Sequence, residues 1–322
     1  MKSLLILVFF IVAIYGDELL YYQFNTYATM YGKVYSSIKE KEYRMLIFQQ
    51  NLDYIEQQNT LDHTYTLGLT IFADMTNDEY KASRFLSGII RKNLRSQHSV
   101  SHSNSVPIPS SIDWRTLGVV NPIKNQLSCG SCWAFSAISA VESLIAIKTG
   151  QLNIYSEQQV VDCDKNSGGC FGGFMTNAFT YMIHNGGICS EEEYPYQGID
   201  QTCKDKQCSP VATIQKYADV QVNSGSSLVD ILSKQPVSVA VDASSPEFQL
   251  YKSGTLNTDT CGTQLNHGVT AIGYNLEANP PYLIIRNSWG TEWGDHGYIH
   301  IKYESEGAGM CGVNKMASYP IL

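Results

Sequence analysis

All nine cysteines of this 322-residue chain lie after residue 128, and their number is odd. That distribution divides the chain into a first third that cannot be cross-linked and a remainder that can. In an oxidising compartment the second part should be stapled by disulfides. An odd count leaves one thiol unpaired, or paired between chains. The stretch Gln126-Leu-Ser-Cys129-Gly-Ser-Cys132-Trp133-Ala-Phe135 suggests which one. Cys132 stands at the mouth of a segment that reads as a long helix, Ser131 to Thr149, ended by Gly150. Unpaired N–H groups and the helix dipole at that end favour a thiolate. If Cys132 stays free, the other eight cysteines can form four bridges.

The start of the chain is consistent with an oxidising destination. Met1-Lys2 is followed by an apolar run to Ile14, then Tyr15-Gly16 and acidic Asp17-Glu18, a signal-peptide pattern with cleavage expected after Gly16. The run is too short to span a bilayer comfortably and no stop-transfer cluster follows, so no membrane anchor is expected. No other segment reads as long and apolar enough to cross. No Asn-X-Ser/Thr sequon is present. The net charge of -8 gives no electrostatic case for nucleic acid. From residue 107 onward 12 basic residues face 20 acidic ones, against 9 and 10 in residues 17–106, so the acidity belongs to the cysteine-bearing part.

Three textures follow one another. Residues 17–106 hold a charged helical stretch, Tyr35 to Asn59, in which Glu40, Arg44, Phe48, Asn51, Ile55 and Asn59 fall on one face. From Arg84 to Val106 basic residues and histidines occur without Asp or Glu among Ser and Asn, which reads as an exposed linker open to proteolysis. Beyond residue 107 come the helix after Ser131, a capping-box pattern at Ser156-x-x-Gln159, and a helix from Thr176 to His184 closed by Gly186-Gly187. Strand-like runs then take over: Val237–Asp242, Val269–Ile272, Tyr282–Ile285 and Tyr298–Lys302. A helical lobe followed by a sheet lobe gives an α+β class, with the nucleophile in the first lobe and any base in the second.

Leu265-Asn-His267-Gly and Arg286-Asn287-Ser-Trp289-Gly supply an imidazole and an amide, 135 and 155 residues after Cys132. Thiol, imidazole and orienting amide are the parts of a nucleophilic cysteine site. Alone, His267 reads as a strand histidine and Asn287 as a turn residue; the C-G-S-C-W context changes the weighting. A redox C-x-x-C motif would need a compact βαβ setting that is missing here. On these motifs, and on the interrupted Glu40-Arg44-Phe48-Asn51-Ile55-Asn59 pattern, the chain resembles a papain-like cysteine peptidase precursor of the cathepsin L type. A second propeptide pattern appears as Gly68-x-Thr70-x-Phe72-x-Asp74, with Thr70 in place of the usual Asn.

The resemblance implies a two-lobed fold, a helical lobe plus an antiparallel sheet or barrel lobe, behind a helical inhibitory prodomain. Its boundaries would be 1–16 for the signal peptide, 17–106 for the propeptide and 107–322 for the mature enzyme. It makes Cys132 the nucleophile and His267 the base and acid. Such pairs reach thiol pKa values of about 3–4, against about 8.5 for a free Cys. Asn287 would fix the imidazole tautomer, Trp289 would cover that bond, and the Gln126 amide with the Cys132 N–H would hold the oxyanion. Leu127 departs from the Gly that commonly follows this Gln. Gly172-Gly173 suits backbone pairing with an extended substrate. Phe174, Met175, Ala240 and Gly268, with Met316 as floor, would line the pocket for the second residue before the cut. With no acid at that floor, Leu, Val or Phe is expected there. Family matching pairs Cys129 with Cys170, Cys163 with Cys203 and Cys261 with Cys311; Cys189 and Cys208 lie outside that pattern, and whether they form a fourth bridge stays open at this point. No metal and no cofactor are implied. The implied partners are protein and peptide substrates, the chain's own propeptide as inhibitor, and cystatin-like inhibitors, with a monomer as the working state. The destination would be the secretory pathway, ending in a lysosome-like acidic compartment or outside the cell. Acid is expected to loosen the propeptide through carboxylates such as Asp74. The alternatives are a catalytically dead homologue used for binding and a thiol redox protein.

Overall fold

A computed structural model describes residues 18–85 and 107–322. The signal-peptide run and residues 86–106, most of the basic linker, lie outside the described residues.

The N-terminal unit begins with α1 (18–30) and α2 (Ile38–Asn59). Helix α2 starts three residues later than its pattern suggests. Ser37 is its N-cap, accepting from the Glu40 N–H, while Tyr35 stays outside and donates its hydroxyl to the Asp74 carboxylate at 3.1 Å. The predicted face of α2 looks onto a later segment of the same unit. Arg44 donates to Glu79 at 2.8 Å, and Asn51 donates to the Ala73 and Met75 carbonyls. Asn59 both donates to and accepts from the Leu67 backbone, so two side-chain amides satisfy a stretch that would otherwise expose bare peptide groups. Phe48 packs into Phe24 and Tyr27 of α1. Only Glu40 turns away, binding Ser36 at the helix start. That later segment contains β1 (Tyr65–Leu67) and α3 (Asn77–Arg84), the latter opened by a full capping box between Thr76 and Glu79.

In the C-terminal unit, β2 (Ser111–Asp113) leads to α4 (Cys132–Thr149), which ends on Gly150 in the left-handed conformation. By length and mean hydropathy, 1.3, α4 could cross a membrane, contrary to the expectation that no segment after the leader is apolar enough. Its apolar surface is spent inside the protein: every residue from Cys132 to Ala146 is buried. Then come α5 (Glu157–Cys163) and α6 (Met175–His184). Ser156 caps α5 through the Gln159 N–H, but the box is only half formed. The Gln159 side chain instead bonds Tyr181 and the Cys189 N–H, because Cys189 O already takes the Ser156 N–H.

Short helices α7 (Gly225–Leu232) and α8 (Pro246–Gln249) interrupt the strands β3 (Lys216–Asp219), β4 (Val237–Val241), β5 (Tyr251–Leu256), β6 (His267–Asn275), β7 (Tyr282–Arg286), β8 (Tyr298–Lys302) and β9 (Ala317–Ile321). One sheet runs β1-β5-β8-β7-β6-β4-β9-β3, with β2 also on β6. All pairs are antiparallel except β5 with β8. Strand β1 of the N-terminal unit is the end strand, with Tyr65 opposite Gly254 and Thr66 opposite Ser253. It covers an edge that would otherwise present unpaired peptide groups.

Two cores result. One gathers α4, α5 and α6 around Trp133, Ile138, Val141 and Phe179. The other joins the sheet to Phe24, Phe48, Phe72 and Tyr80 of the N-terminal unit. The disulfides are Cys129–Cys170, Cys163–Cys203, Cys189–Cys208 and Cys261–Cys311, and Cys132 is the free cysteine.

Candidate active site

Cys132 is the first residue of α4, and His267 is the first of β6. Hydrogen bonds one helical turn along α4 fix how these two meet. Ser136 donates its hydroxyl to Val269 O at 2.6 Å, and Thr270 donates back to Ser136 O. Ser238 of β4 holds the same Ser136 carbonyl at 2.9 Å. Buried bonds of this kind set the helix-to-sheet register, so a helix end and a strand end arrive side by side.

His267 Nε2 lies 2.7 Å from Asn287 Oδ1, an acceptor that places the ring proton on Nε2 and leaves Nδ1 facing the thiol side. Asn287 Oδ1 also takes the Ser288 N–H at 2.8 Å, so the orienter is itself fixed. The Trp289 indole stacks on the imidazole with centroids 4.6 Å apart. Gln126 is buried; its Oε1 accepts from the Ser288 hydroxyl at 2.7 Å and its Nε2 donates to Cys129 O at 2.8 Å. A primary amide has two N–H donors, so one remains for a substrate oxygen.

Met175, Ala240, Gly268 and Met316 come together. Ala240 is opposite Gly268 across β4 and β6, its N–H donates to Met316 O, and a Cβ on Gly268 would lie 3.3 Å from Met175 Sδ. Phe174 stands at the N-cap of α6, half-buried beside them. Gly172 and Gly173 line a cavity of ≈ 40 Å³ next to Cys132, room for little more than water. Gly173 has a second constraint: a Cβ there would fall 2.6 Å from the Trp133 ring. Packing therefore demands glycine at 173 whether or not a substrate passes.

Several residues of the site carry no sequence signal of their own. The cavity's other wall is Ser83 and Arg84, from the end of α3. The half-buried Arg84 guanidinium donates to Leu127 O at 2.5 Å and sits over the Phe72 and Trp289 rings. Phe85 lies over His267 at 6.0 Å, and Phe72 and Tyr80 meet Trp289 edge-on. The N-terminal unit thus packs aromatic rings onto the same indole that backs the imidazole. Phe72 could have been found through its motif; Arg84 and Phe85 could not. Tyr196 is another such residue: its hydroxyl donates to Gln126 O at 2.8 Å and meets the Ser131 hydroxyl at 2.6 Å, joining the Gln126 loop to the start of α4.

While the N-terminal unit is docked, burial works against the thiolate–imidazolium pair expected from sequence. Burial pushes the Cys132 thiol up, against the backbone N–H groups of Gly268, Trp133 and Cys132 itself. Burial pulls the His267 imidazole down to about 4, against the Asn287 bond and helped by the Arg84 charge. With the N-terminal unit in place, both shifts favour the neutral forms. Cys163, Cys203 and Asp205 form a metal-like cluster by position, but the two sulfurs are bonded to each other.

The comparisons with known proteins agree with this geometry. Residues 108–321 match the papain family cysteine protease profile, and residues 24–80 match the cathepsin propeptide inhibitor domain. A probable cysteine protease of Arabidopsis thaliana is 48% identical over 298 residues, 89% of this chain and 65% of that relative. A KDEL-tailed cysteine endopeptidase of the same plant is 45% identical over 297 residues, 88% of this chain and 81% of its own. Among solved structures, the recombinant stem bromelain precursor superposes with a TM-score of 0.87 at 43% identity, over 94% of this chain and 99% of that one. A digestive procathepsin L of the Tenebrio molitor larval midgut gives 0.85 at 34% identity, over 94% and 99%.

Proposed function

The chain belongs to the papain family of cysteine proteases and carries a cathepsin-type propeptide inhibitor domain ahead of the protease domain, and from that membership we propose that it is the zymogen of an acid-favouring endopeptidase that uses Cys132, His267, Asn287 and Gln126. The observation that carries this reading is the occupied cleft: Ser83 and Arg84 lie against a free Cys132 whose His267 partner is already oriented by Asn287.

In the released enzyme the Arg84 charge is gone, and with it the burial that Ser83, Arg84 and Phe85 supply. Cys132 gives its proton to His267, and the thiolate attacks a peptide carbonyl carbon. The carbonyl oxygen takes the negative charge facing the Cys132 N–H and the Gln126 amide. His267 then protonates the leaving amine as the C–N bond breaks, leaving an acyl-thioester. Water, deprotonated by His267, cleaves the thioester and restores the thiol. The apolar walls at Met175, Ala240, Gly268 and Met316 favour Leu, Val or Phe as the second residue before the cut, and one pocket reads a single side chain weakly, so cleavage is broad. The prodomain, 17–106 by sequence, acts as the inhibitor of the domain that follows it. The route is secretory, as the leader pattern suggests, and an acidic compartment suits both the acidic protease domain and the acid-sensitive cleft.

Acid incubation of the purified precursor with a small epoxide thiol trap should label Cys132 alone, and Cys132→Ala should abolish peptide hydrolysis. Substantial turnover in Cys132→Ala, with contaminating peptidase excluded, overturns the assignment. A folded, released protein that neither takes the label nor cleaves would make it a dead binding homologue; insulin reduction without cleavage would make it a redox protein.

A further inference from the structure

We propose that Leu127 is a specificity-determining residue of this peptidase, selecting apolar side chains just after the scissile bond. The inference rests on the peptidase reading above. Leu127 has φ 57°, a left-handed conformation that an L-residue with a branched side chain adopts at a cost and that glycine adopts freely. The loop is held there on both sides: the Leu127 N–H donates to Asn125 Oδ1 at 2.9 Å, and the adjoining Gln126 carbonyl takes the Tyr196 hydroxyl. The side chain stays half exposed, at 50%. It rests on Gly198, where an added Cβ would come within 2.9 Å of Leu127 Cδ1. A strained backbone thus presents an isobutyl group to the outside, on a seat that a glycine clears for it.

Its side of the cleft follows from the chemistry. His267 must hand its proton to the leaving amine, so the residues after the cut run past the imidazole and the Trp289 ring stacked on it. Arg84 spans this space, its guanidinium 5.8 Å from the Trp289 ring and bonded to Leu127 O. Leu127 therefore stands at the rim of the leaving-side channel, linked through Arg84 to the Trp289 ring. Phe72, Tyr80 and Phe85 cover Trp289 only while the N-terminal unit is docked. Once it leaves, the indole is uncovered and the half-exposed Leu127 side chain, on its Gly198 seat, stands at the rim of the same channel. A glycine at 127 would leave backbone alone at that rim.

The test uses the activated enzyme and internally quenched peptides with Leu fixed as the second residue before the cut. The peptides differ only in the first two residues after it: Leu or Phe against Ser or Asp. Rates are normalised to active sites titrated with an epoxide. Wild type should prefer the apolar set by about five- to tenfold in kcat/KM, the scale of one partly buried apolar contact. Leu127→Gly should bring that ratio within about twofold of unity, with Leu127→Ala between. Leu127→Asn, which tolerates the left-handed backbone, gives the same reading if the glycine variant fails to fold. A wild-type ratio near unity, or a ratio that survives in these variants, overturns the inference. Failure of wild type to cleave either set would instead overturn the peptidase reading.

Discussion

Residues 18–85 and 107–322 are ordered by different means. The first region has no cysteine, and its segments are joined by side chains reaching across to backbone, as Asn51 and Asn59 of α2 do. Asp74, at its centre, gathers Lys33, Tyr27 and Tyr35. The second region has four disulfides and a central helix buried from Cys132 to Ala146. Between them lies a joint that combines the strand pairing of β1 on β5, hydrogen bonds such as those of Tyr54 to Glu247, Thr70 to Gln249 O and Tyr80 to Ala243 O, an aromatic cluster on Trp289, and the Arg84 clamp on Leu127. A region that must be shed is built from reversible bonds, while the one that must persist among proteases is cross-linked.

Acid should act on the two with opposite sign. In the docked chain burial, to which Phe85 adds, and the Arg84 charge pull His267 down to about 4, below its ordinary 6.5. Where no thiol shares its proton with the ring, as in Cys132→Ala, the associated stability is complete above 6.5 and is lost as pH falls from there through 4, so acid favours release. In the protease region, Glu157 is pushed up to about 7 by burial and by Glu142, against Lys124. Its contribution is complete below 4.5 and is lost as pH rises through 7, so acid favours that fold.

The largest expected effect tests durability. Replacing Cys129 and Cys170 by Ser opens a loop of 41 residues, which the chain-entropy relation values at about 4 kcal/mol. Denaturant unfolding of the mature enzyme should show that loss. Activity should fall as well, because Gly130 is bonded to Cys170 O beside the nucleophile. A mature enzyme of unchanged stability would break the contrast.

Next comes release. In the Cys132→Ala precursor, which cannot process itself, the His267 NMR signal should titrate near 4, and loss of docking below pH 6.5 should reach roughly 3 kcal/mol. Arg84→Met should raise the His267 value and weaken docking at neutral pH. A titration near 6.5 in the intact precursor would mean that imidazole burial plays no part in acid release.

The smallest effect is in the protease core. Glu157→Gln should remove the stability loss between pH 4.5 and 7 that Glu157 causes. Because Lys124 and Glu142 share the response, the gain at pH 7 should be about 2 kcal/mol rather than the full shift. Parallel stability curves for variant and wild type across that range would sever this half of the comparison.

Local patterns in the sequence gave direct access to certain features. Helix α4 follows from its apolar content and Gly150, the inward face of α2 from the spacing of Phe48, Asn51, Ile55 and Asn59, and the free thiol from an odd cysteine count. Each of these depends on neighbours within a few turns of chain, or on simple arithmetic. The candidate triad was legible only through motif resemblance, since nothing near His267 or Asn287 says that they meet. What only the tertiary structure decided are contacts between segments far apart in the chain. Strand β1 closes the edge of a sheet that lies almost wholly in the other unit, Tyr196 braces the Gln126 loop, and Arg84 reaches Leu127. The charge state of the site belongs to the same class. A histidine's spacing says nothing of how much water surrounds it, and it is burial in the packed molecule that pulls this imidazole down to about 4. Desolvation is a property of the packed molecule, so no local stretch of sequence encodes it.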